Sequence, residues 1–260
     1  MTRRALSIAG FDATGLAGLL ADVLVFQSLG LEAMAVPTAI TVQDLESVTD
    51  VAPVEPWFIS SQIESLFRGP AIDAVKIGML AAGAGARTVA EALQDKEQSP
   101  PVIVLDPVLA STGGTPLIDE EGITVIKDSL IPLCTLVTPN MQEASILSDR
   151  LVLDSEDMRQ AALAIHNNLK ADAVLVKGGH LEGRPLDILF DGSEFTEFEG
   201  QRLKGPRGIF HGTGCLLSSA ITAGLAKGLA LKDAVRQGKD HTAKILMERK
   251  KVFPHDKEGG

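Results

Sequence analysis

Val102-Ile103-Val104-Leu105-Asp106-Pro107 decides how this chain is read. Four apolar, mostly β-branched residues have the length and type of a strand buried on both faces. Asp-Pro then ends the run, so a carboxylate stands at the strand's carboxyl end. The same unit recurs on both sides. Upstream, 74–77 reads as a strand running into Gly78-Met79-Leu80, with a helical pattern over 86–94. Downstream, a helix over 120–131 leads to a strand at 136–138 that ends in Pro139-Asn140. Helices follow at 142–147 and 156–169, then a strand at 173–176 that meets Lys177-Gly178-Gly179-His180. Nearer the N-terminus, strands at 5–9 and 34–40 bracket a helix over 17–29, with Gly30 as its C-cap. Pro56 opens a helix over 56–67. Strands alternating with helices predict an α/β fold with a central, mostly parallel sheet and helices on both faces. Beyond these units, 186–190 and 195–198 flank Asp191-Gly192 as a hairpin. Two long helices, 214–229 and 231–250, close the chain.

Composition sets outer bounds. At ~150 residues per domain, 260 residues suit one or two domains. No Ser/Pro-rich linker or repeat is present, which favours a single domain over 1–253 with a frayed tail at 254–260. An apolar fraction of 45% excludes a disordered chain. The net charge of −10 lacks the footprint of a nucleic-acid binder. Two cysteines, Cys134 and Cys215, make no disulfide framework and suit a reducing, cytoplasmic compartment. The basic start leads into an apolar run cut by Asp12 and Asp22, so no leader peptide is read. The most apolar later stretch, 215–231, carries Ser218, Ser219, Thr222 and Lys227, too short and polar for a membrane span.

Ligands of open α/β sheets bind beyond the carboxyl ends of the strands. There the chain places Gly10-Phe11-Asp12-Ala13-Thr14-Gly15-Leu16-Ala17-Gly18, and after the second strand Thr41-Val42-Gln43-Asp44. The first of these has neither Gly-Lys-Ser/Thr nor Gly-x-Gly-x-x-Gly. It reads as a strand-to-helix turn that needs glycine, or as a weak phosphate loop. His211-Gly212-Thr213-Gly214-Cys215 is the strongest local signal. Its glycines allow close backbone approach, and free N–H groups with the helix dipole make an anion site. A cysteine there is favoured as thiolate; the plainer reading is a glycine-rich helix start with an inert thiol. Asn140 and Glu143 have capping-box spacing. Alternatively Glu143, through water, helps hold Mg²⁺ together with Asp106. The five histidines show no paired metal spacing. His166 reads as a packing residue and Cys134 as a small core residue.

In order, these motifs resemble the hydroxymethylpyrimidine/phosphomethylpyrimidine kinases of thiamine biosynthesis, within the ribokinase-like superfamily. The likeness runs from about residue 5 to 250. It rests on Ile8-Ala9-Gly10 with Gly15 and Ala17-Gly18-Leu19, on Asp22, Gln43 and 73–80, and on Val104-Leu105-Asp106-Pro107-Val108. Val137-Thr138-Pro139-Asn140 with Glu143-Ala144, Leu175 to His180, and His211 to Cys215 complete it. The resemblance implies a three-layer ribokinase-like sandwich, usually a homodimer. It also implies phosphoryl transfer from MgATP to the hydroxymethyl group of an aminopyrimidine or of its monophosphate. By the same resemblance Gly10, Asp22, Gln43, Met79 and Val108 match the pyrimidine pocket. Asp106, Asn140 and Glu143 match the Mg²⁺–phosphate region, and Lys177, Thr213 and Lys239 match nucleotide or phosphate contacts. Gly212, Thr213 and Gly214 offer amides to the transferring group, and Cys215 matches the proposed catalytic base.

The chemistry is coherent on its own terms. Phosphoryl transfer asks mainly for positioning and charge stabilisation, Cys215 as thiolate can take the hydroxyl proton, and Gln43 offers donor and acceptor to an aminopyrimidine edge. The chain departs from the family pattern at Phe11 (usually Ser or Thr), Ala13, Leu16, Asp44 and Thr112 (often Lys), and at Gly208-Ile209-Phe210. Two other readings remain in view: a pyridoxine or pyridoxal kinase, and a non-catalytic pyrimidine-binding regulator.

Overall fold

The computed structural model describes residues 2–45, 47–94, 101–111, 113–179, 181, 185–200, 202, 203, 205 and 207–252. The strands are β1 (Arg4–Phe11), β2 (Glu32–Gln43), β3 (Val48–Pro53), β4 (Ala74–Ile77), β5 (Val102–Leu105), β6 (Leu136–Val137), β7 (Val174–Gly178), β8 (Leu186–Phe190) and β9 (Phe195–Glu199). They form one sheet in the order β3-β2-β1-β4-β5-β6-β7-β8-β9. The six strands from β2 to β7 in that order run parallel, while β3, β8 and β9 are antiparallel to their neighbours. The helices are α1 (Gly18–Ser28), α2 (Pro56–Phe67), α3 (Gly83–Gln94), α4 (Glu120–Val125), α5 (Met141–Ser148), α6 (Ser155–Leu169), α7 (Thr213–Ala226) and α8 (Leu231–Val252).

Successive strand residues point to opposite faces, and here both faces are covered. Val75, Ile77, Ile103, Leu105, Val174 and Val176 pack against Ile59, Ile63, Val89, Met158 and Ile165 from α2, α3 and α6. The residues between them, Ala74, Val104 and Leu175, pack on the other face against α1, α7 and α8, through Phe26, Leu217, Ile221 and Val235. Double burial explains why these strands read as unbroken apolar runs. Each fully buried Ile or Leu contributes about 1.5–3 kcal/mol of transfer free energy.

Three features differ from the sequence expectation. β3 was not expected: Val48-Thr49-Asp50-Val51-Ala52-Pro53 is broken by Thr49-Asp50 and ends in proline, and it pairs as an outer, antiparallel strand, where proline is tolerated. The helix expected over 120–131 is α4 followed by one π turn (Ile126–Leu130) and a 3₁₀ turn (Ile131–Leu133), because Pro132 has no N–H to extend the ladder. α7 stops at Ala226, three residues early, and Gly228 takes φ +83° just beyond. The expected tail at 254–260 lies outside the described residues.

Among the described residues one stretch, Gly208–Ala226, is long and apolar enough to cross a membrane. Its α7 part is the inner helix of the core, with Leu216, Ala220 and Ile221 packed against α1 and α8. The chain leaves β1 for β2 on one side and continues through β4 on the other. This reversal opens a crevice above the carboxyl ends of β1 and β4, where a ligand is expected.

Candidate active site

Two helix N-termini meet above that crevice. In α7 the first helical bond is Leu216 N–H to the Gly212 carbonyl, 2.9 Å. The N–H groups of Thr213, Gly214 and Cys215 precede it and have no acceptor within the helix. Gly212 takes φ +73°, and a Cβ there would lie 2.0 Å from the Leu16 carbonyl oxygen, so only glycine fits. The Thr213 hydroxyl donates to the Phe210 carbonyl at 2.7 Å. From the other side the backbone N–H of Gly18, at the start of α1, comes near enough to the Cys215 thiol to favour its ionised form. The positive ends of both helix dipoles thus face one spot.

Cys215 is half-buried and is not the expected thiolate. Burial pushes its thiol up to about 11; Lys76 and the Gly18 N–H work against that, while Asp106 and Asp22 add to it. The helix N-terminus is outweighed by desolvation and two nearby carboxylates.

Beside this spot lies a charged cluster. Lys177 Nζ donates to Asp106 at 2.6 Å. The same carboxylate accepts from Ser218 at 3.1 Å and from Thr138 at 3.4 Å. A Cβ on Gly214 would sit 3.2 Å from Lys177 Nζ and 3.6 Å from Asp106 Oδ2, so bare α7 backbone lies over the pair. Burial opposes the charge on Asp106, but Lys177 and Lys76 outweigh it and hold the carboxyl below its ordinary range. Asn140 and Glu143 form the capping box of α5: the Glu143 N–H donates to Asn140 at 2.9 Å, and the Asn140 N–H donates to Glu143 at 2.7 Å. Burial, and then Asp106 against the pull of Lys177, pushes Glu143 up to about 7.

On the other side of the crevice is an apolar pocket wall. Met79 packs over Gly10, its sulfur 3.0 Å from where a Cβ of Gly10 would stand. Met79, Ala39 and Leu117 form a small cluster with Val108 and with Val48 and Val51 of β3. The Thr38 hydroxyl anchors this wall through the Met79 carbonyl at 2.5 Å. Gln43 is half-buried at the end of β2, its Nε2 3.3 Å from His211 Nε2.

The structure therefore brings Gly212, Thr213, Gly214, Cys215, Lys177, Asp106, Asn140 and Glu143 together, and groups Gly10, Met79 and Val108. Asp22 is placed differently. Its carboxylate is fully buried, accepting from Lys76 at 2.8 and 3.0 Å, from Ser7 at 2.6 Å and from Ser219 at 2.6 Å. Lys239 stands one strand away from Lys177, its ammonium bonded to Asp187. Phe11 is half-buried, and its carbonyl accepts from Thr41 at 2.9 Å; Thr112 and His180 lie outside the described residues. His166 is a packing residue, bonded to the Ala171 carbonyl at 2.8 Å and edge-on to Phe190. Cys134 is buried, with its thiol raised by burial. Sequence reasoning missed Lys76, Ser218, Asp12 and Arg249 as parts of the site. Lys76 carried a signal, as a charge inside an apolar strand; the others had none.

The comparisons with known proteins agree with this geometry. Residues 12–257 match the family model described as phosphomethylpyrimidine kinase. The chain is 41% identical over 251 residues to the hydroxymethylpyrimidine/phosphomethylpyrimidine kinase of Aquifex aeolicus (strain VF5), covering 95% of this chain and 96% of that one. It superposes on the crystal structure of the phosphomethylpyrimidine kinase from Clostridium difficile 630 with a TM-score of 0.83 and 34% identity, over 94% of this chain and 99% of that one. An ADP complex of Bacillus subtilis pyridoxal kinase also superposes, with a TM-score of 0.83 and 33% identity over 92% and 90% of the two chains. The sheet with helices on both faces is thus the ribokinase-like architecture, and the chain belongs to the phosphomethylpyrimidine kinase family.

Proposed function

We infer that this chain transfers the terminal phosphoryl group of ATP to the hydroxymethyl group of 4-amino-5-hydroxymethyl-2-methylpyrimidine, and also phosphorylates the resulting monophosphate. It is an ATP-dependent hydroxymethylpyrimidine/phosphomethylpyrimidine kinase of thiamine biosynthesis. The observation that carries the reading is the convergence of the α1 and α7 N-termini beside the Lys177–Asp106 pair, next to the apolar wall of Met79 and Val108. Transfer through a loose transition state needs a nest of donors for the phosphoryl oxygens and an aligned alcohol.

In this reading the amides of Gly214 and Cys215 and the Lys177 ammonium receive the transferring group, with Gly212 setting the backbone turn and Thr213 opening the helix. Met79 and Val108 flank the ring, Gly10 leaves room beneath it, and Gln43 faces its amino edge. Cys215 takes the hydroxyl proton late in transfer. Its resting thiol must first release its own proton to solvent, which Lys76 and the Gly18 N–H favour. Asp22 does not face the ring: it is fully buried and braces β1, β4 and α7 through Ser7, Lys76 and Ser219. Lys239 reaches the nucleotide when released from Asp187.

Mg²⁺, when bound, would offset the negative charge of the phosphates. Asp106, Asn140 and Glu143 supply hard oxygen donors for it. No cage of three or more His, Cys, Asp or Glu occurs among the described residues. A cytoplasmic homodimer completes the reading, supported by the free cysteines and by Ile40 and Val42, which stand exposed on β2.

The test is ADP release by the purified protein with hydroxymethylpyrimidine, its monophosphate and pyridoxal in turn. The pyrimidines should give the higher kcat/KM. Preference for pyridoxal would move the chain to the pyridoxal kinases, and no turnover with any of the three would make it a binding protein.

A further inference from the structure

The last turn of α8 reaches both loops whose helices meet at the site. The half-buried Arg249 guanidinium acts as a fork. Its Nη1 donates to the His211 carbonyl at 2.7 Å and to the Ile209 carbonyl at 3.4 Å, and its Nη2 donates to the Leu16 carbonyl at 3.0 Å. One planar group therefore ties the segment leading into α7 to the loop leading into α1. A second tie runs alongside. His211 Nε2 lies 3.1 Å from Asp12 Oδ2. Asp12 also accepts from the Thr14 N–H at 2.7 Å, the Thr14 hydroxyl at 2.8 Å and the Ala17 N–H at 3.0 Å. The two segments touch directly where Gly212 meets Leu16.

The consequence is geometric. His211 is two residues before Thr213, where α7 starts, and Leu16 is two residues before Gly18, where α1 starts. The distance between the two sets of free N–H groups is thus set by what joins His211 to Leu16. We propose that Arg249 is a positioning residue of the kinase reaction: it clamps the two loops so that the α1 and α7 N–H groups are aligned before nucleotide arrives. It touches neither substrate and works through the Leu16 and His211 carbonyls. Lysine cannot replace it, because a single ammonium lacks the rigid two-armed geometry of guanidinium. Met79 and Val108, which flank the ring, belong to other loops, and Gln43, 3.3 Å from His211, is the link between the clamped loops and the ring's edge, so the clamp bears on kcat more than on pyrimidine KM. A displacement of about 1 Å in such a site costs up to ~10²-fold in rate.

The proposal rests on the kinase reading, and its test separates the two. Wild type, Arg249→Lys and Arg249→Met are assayed with hydroxymethylpyrimidine and ATP, and amide hydrogen exchange is followed in the same proteins without substrate. Both variants should lose tenfold or more in kcat with pyrimidine KM within about threefold, and exchange should rise selectively at 16–18 and 212–215. A kcat within twofold of wild type in both variants overturns the proposal. So does exchange that rises evenly over the sheet, which would mark Arg249 as a general stabiliser. Should Arg249→Met fail to fold, Arg249→Lys alone decides by the same criteria. If wild type shows no pyrimidine-dependent ADP release, the kinase reading fails, while the exchange measurement still decides whether the clamp exists.

Discussion

Asp22 and Lys76 form an ion pair 2.8 Å long that is sealed from solvent on both sides. Ser7 of β1 and Ser219 of α7 hold the same carboxylate. The pair therefore ties α1, β1, β4 and α7 together directly beneath the point where the helix N-termini meet. Burial opposes the charge on Lys76, but Asp22 outweighs it and holds the ammonium above the ordinary lysine range.

Breaking that pair from one side strands a buried charge. Lys76→Met should cost about 3–5 kcal/mol. The Asp22→Leu/Lys76→Met double variant should recover most of that loss, since a buried pair and an apolar replacement are often close in stability. Urea unfolding of the three proteins measures this. A single variant that unfolds at the wild-type midpoint would show that the carboxylate had found another partner.

Glu143 gives a pH signature. Its folded-state value, about 7, lies above the ordinary glutamate value of 4.5, so between these the folded protein holds a proton that the unfolded chain has lost. Stability should therefore be highest below pH 4.5 for this group and fall as pH rises toward 7. Glu143→Gln should remove this slope, read as the difference between the two proteins' unfolding free energies across that window. Equal slopes would show an ordinary carboxylate. In activity assays, Glu143→Gln and Asp106→Asn should each raise the Mg²⁺ requirement, and an unchanged titration in both would make them structural.

Gly212→Ala places a methyl 2.0 Å from the Leu16 carbonyl at a backbone angle that disfavours alanine. The two loops must part, and kcat should fall by about 10². Gly10→Ala is milder. Its methyl meets the flexible Met79 side chain at 3.0 Å, so pyrimidine KM should rise with little change in melting temperature. Steady-state kinetics of both variants check the contrast, and equal effects would contradict it.

Cys215→Ala should cut kcat by about 10²–10⁴ if the sulfur is the base, with nucleotide binding nearly intact. Because the resting thiol is raised to about 11, kcat/KM of the wild type should rise with pH through the neutral and mildly alkaline range. That dependence should vanish in the variant. A variant within threefold of wild-type kcat would remove Cys215 from the chemistry.

The pattern of buried strands and helix starts was legible because double burial writes unbroken apolar runs, and glycines mark the places where backbone must come close. Val102 to Leu105 and the turn at Asp106 needed nothing else. β3 was not legible, because an outer strand with Thr49, Asp50 and Pro53 has no apolar period. The raised thiol of Cys215 was not legible for a related reason: its helix dipole is local in sequence, whereas the burial and the Asp22 and Asp106 charges that oppose it arrive from distant segments. Asp22 was singled out as a site residue, but its partner Lys76 lies 54 positions away. Arg249 lies 233 positions from Leu16. Contacts of that span leave no spacing to read.

The proposed place of phosphoryl transfer is where the α1 and α7 N-termini meet. A crystal structure with hydroxymethylpyrimidine and a non-hydrolysable ATP analogue tests it most directly. The terminal phosphate should lie against the Gly214 and Cys215 amides and Lys177, with the ring between Met79 and Val108 and its hydroxymethyl oxygen beside the Cys215 sulfur. A terminal phosphate bound away from the start of α7, or a pyrimidine seated outside the Met79 wall, would contradict it.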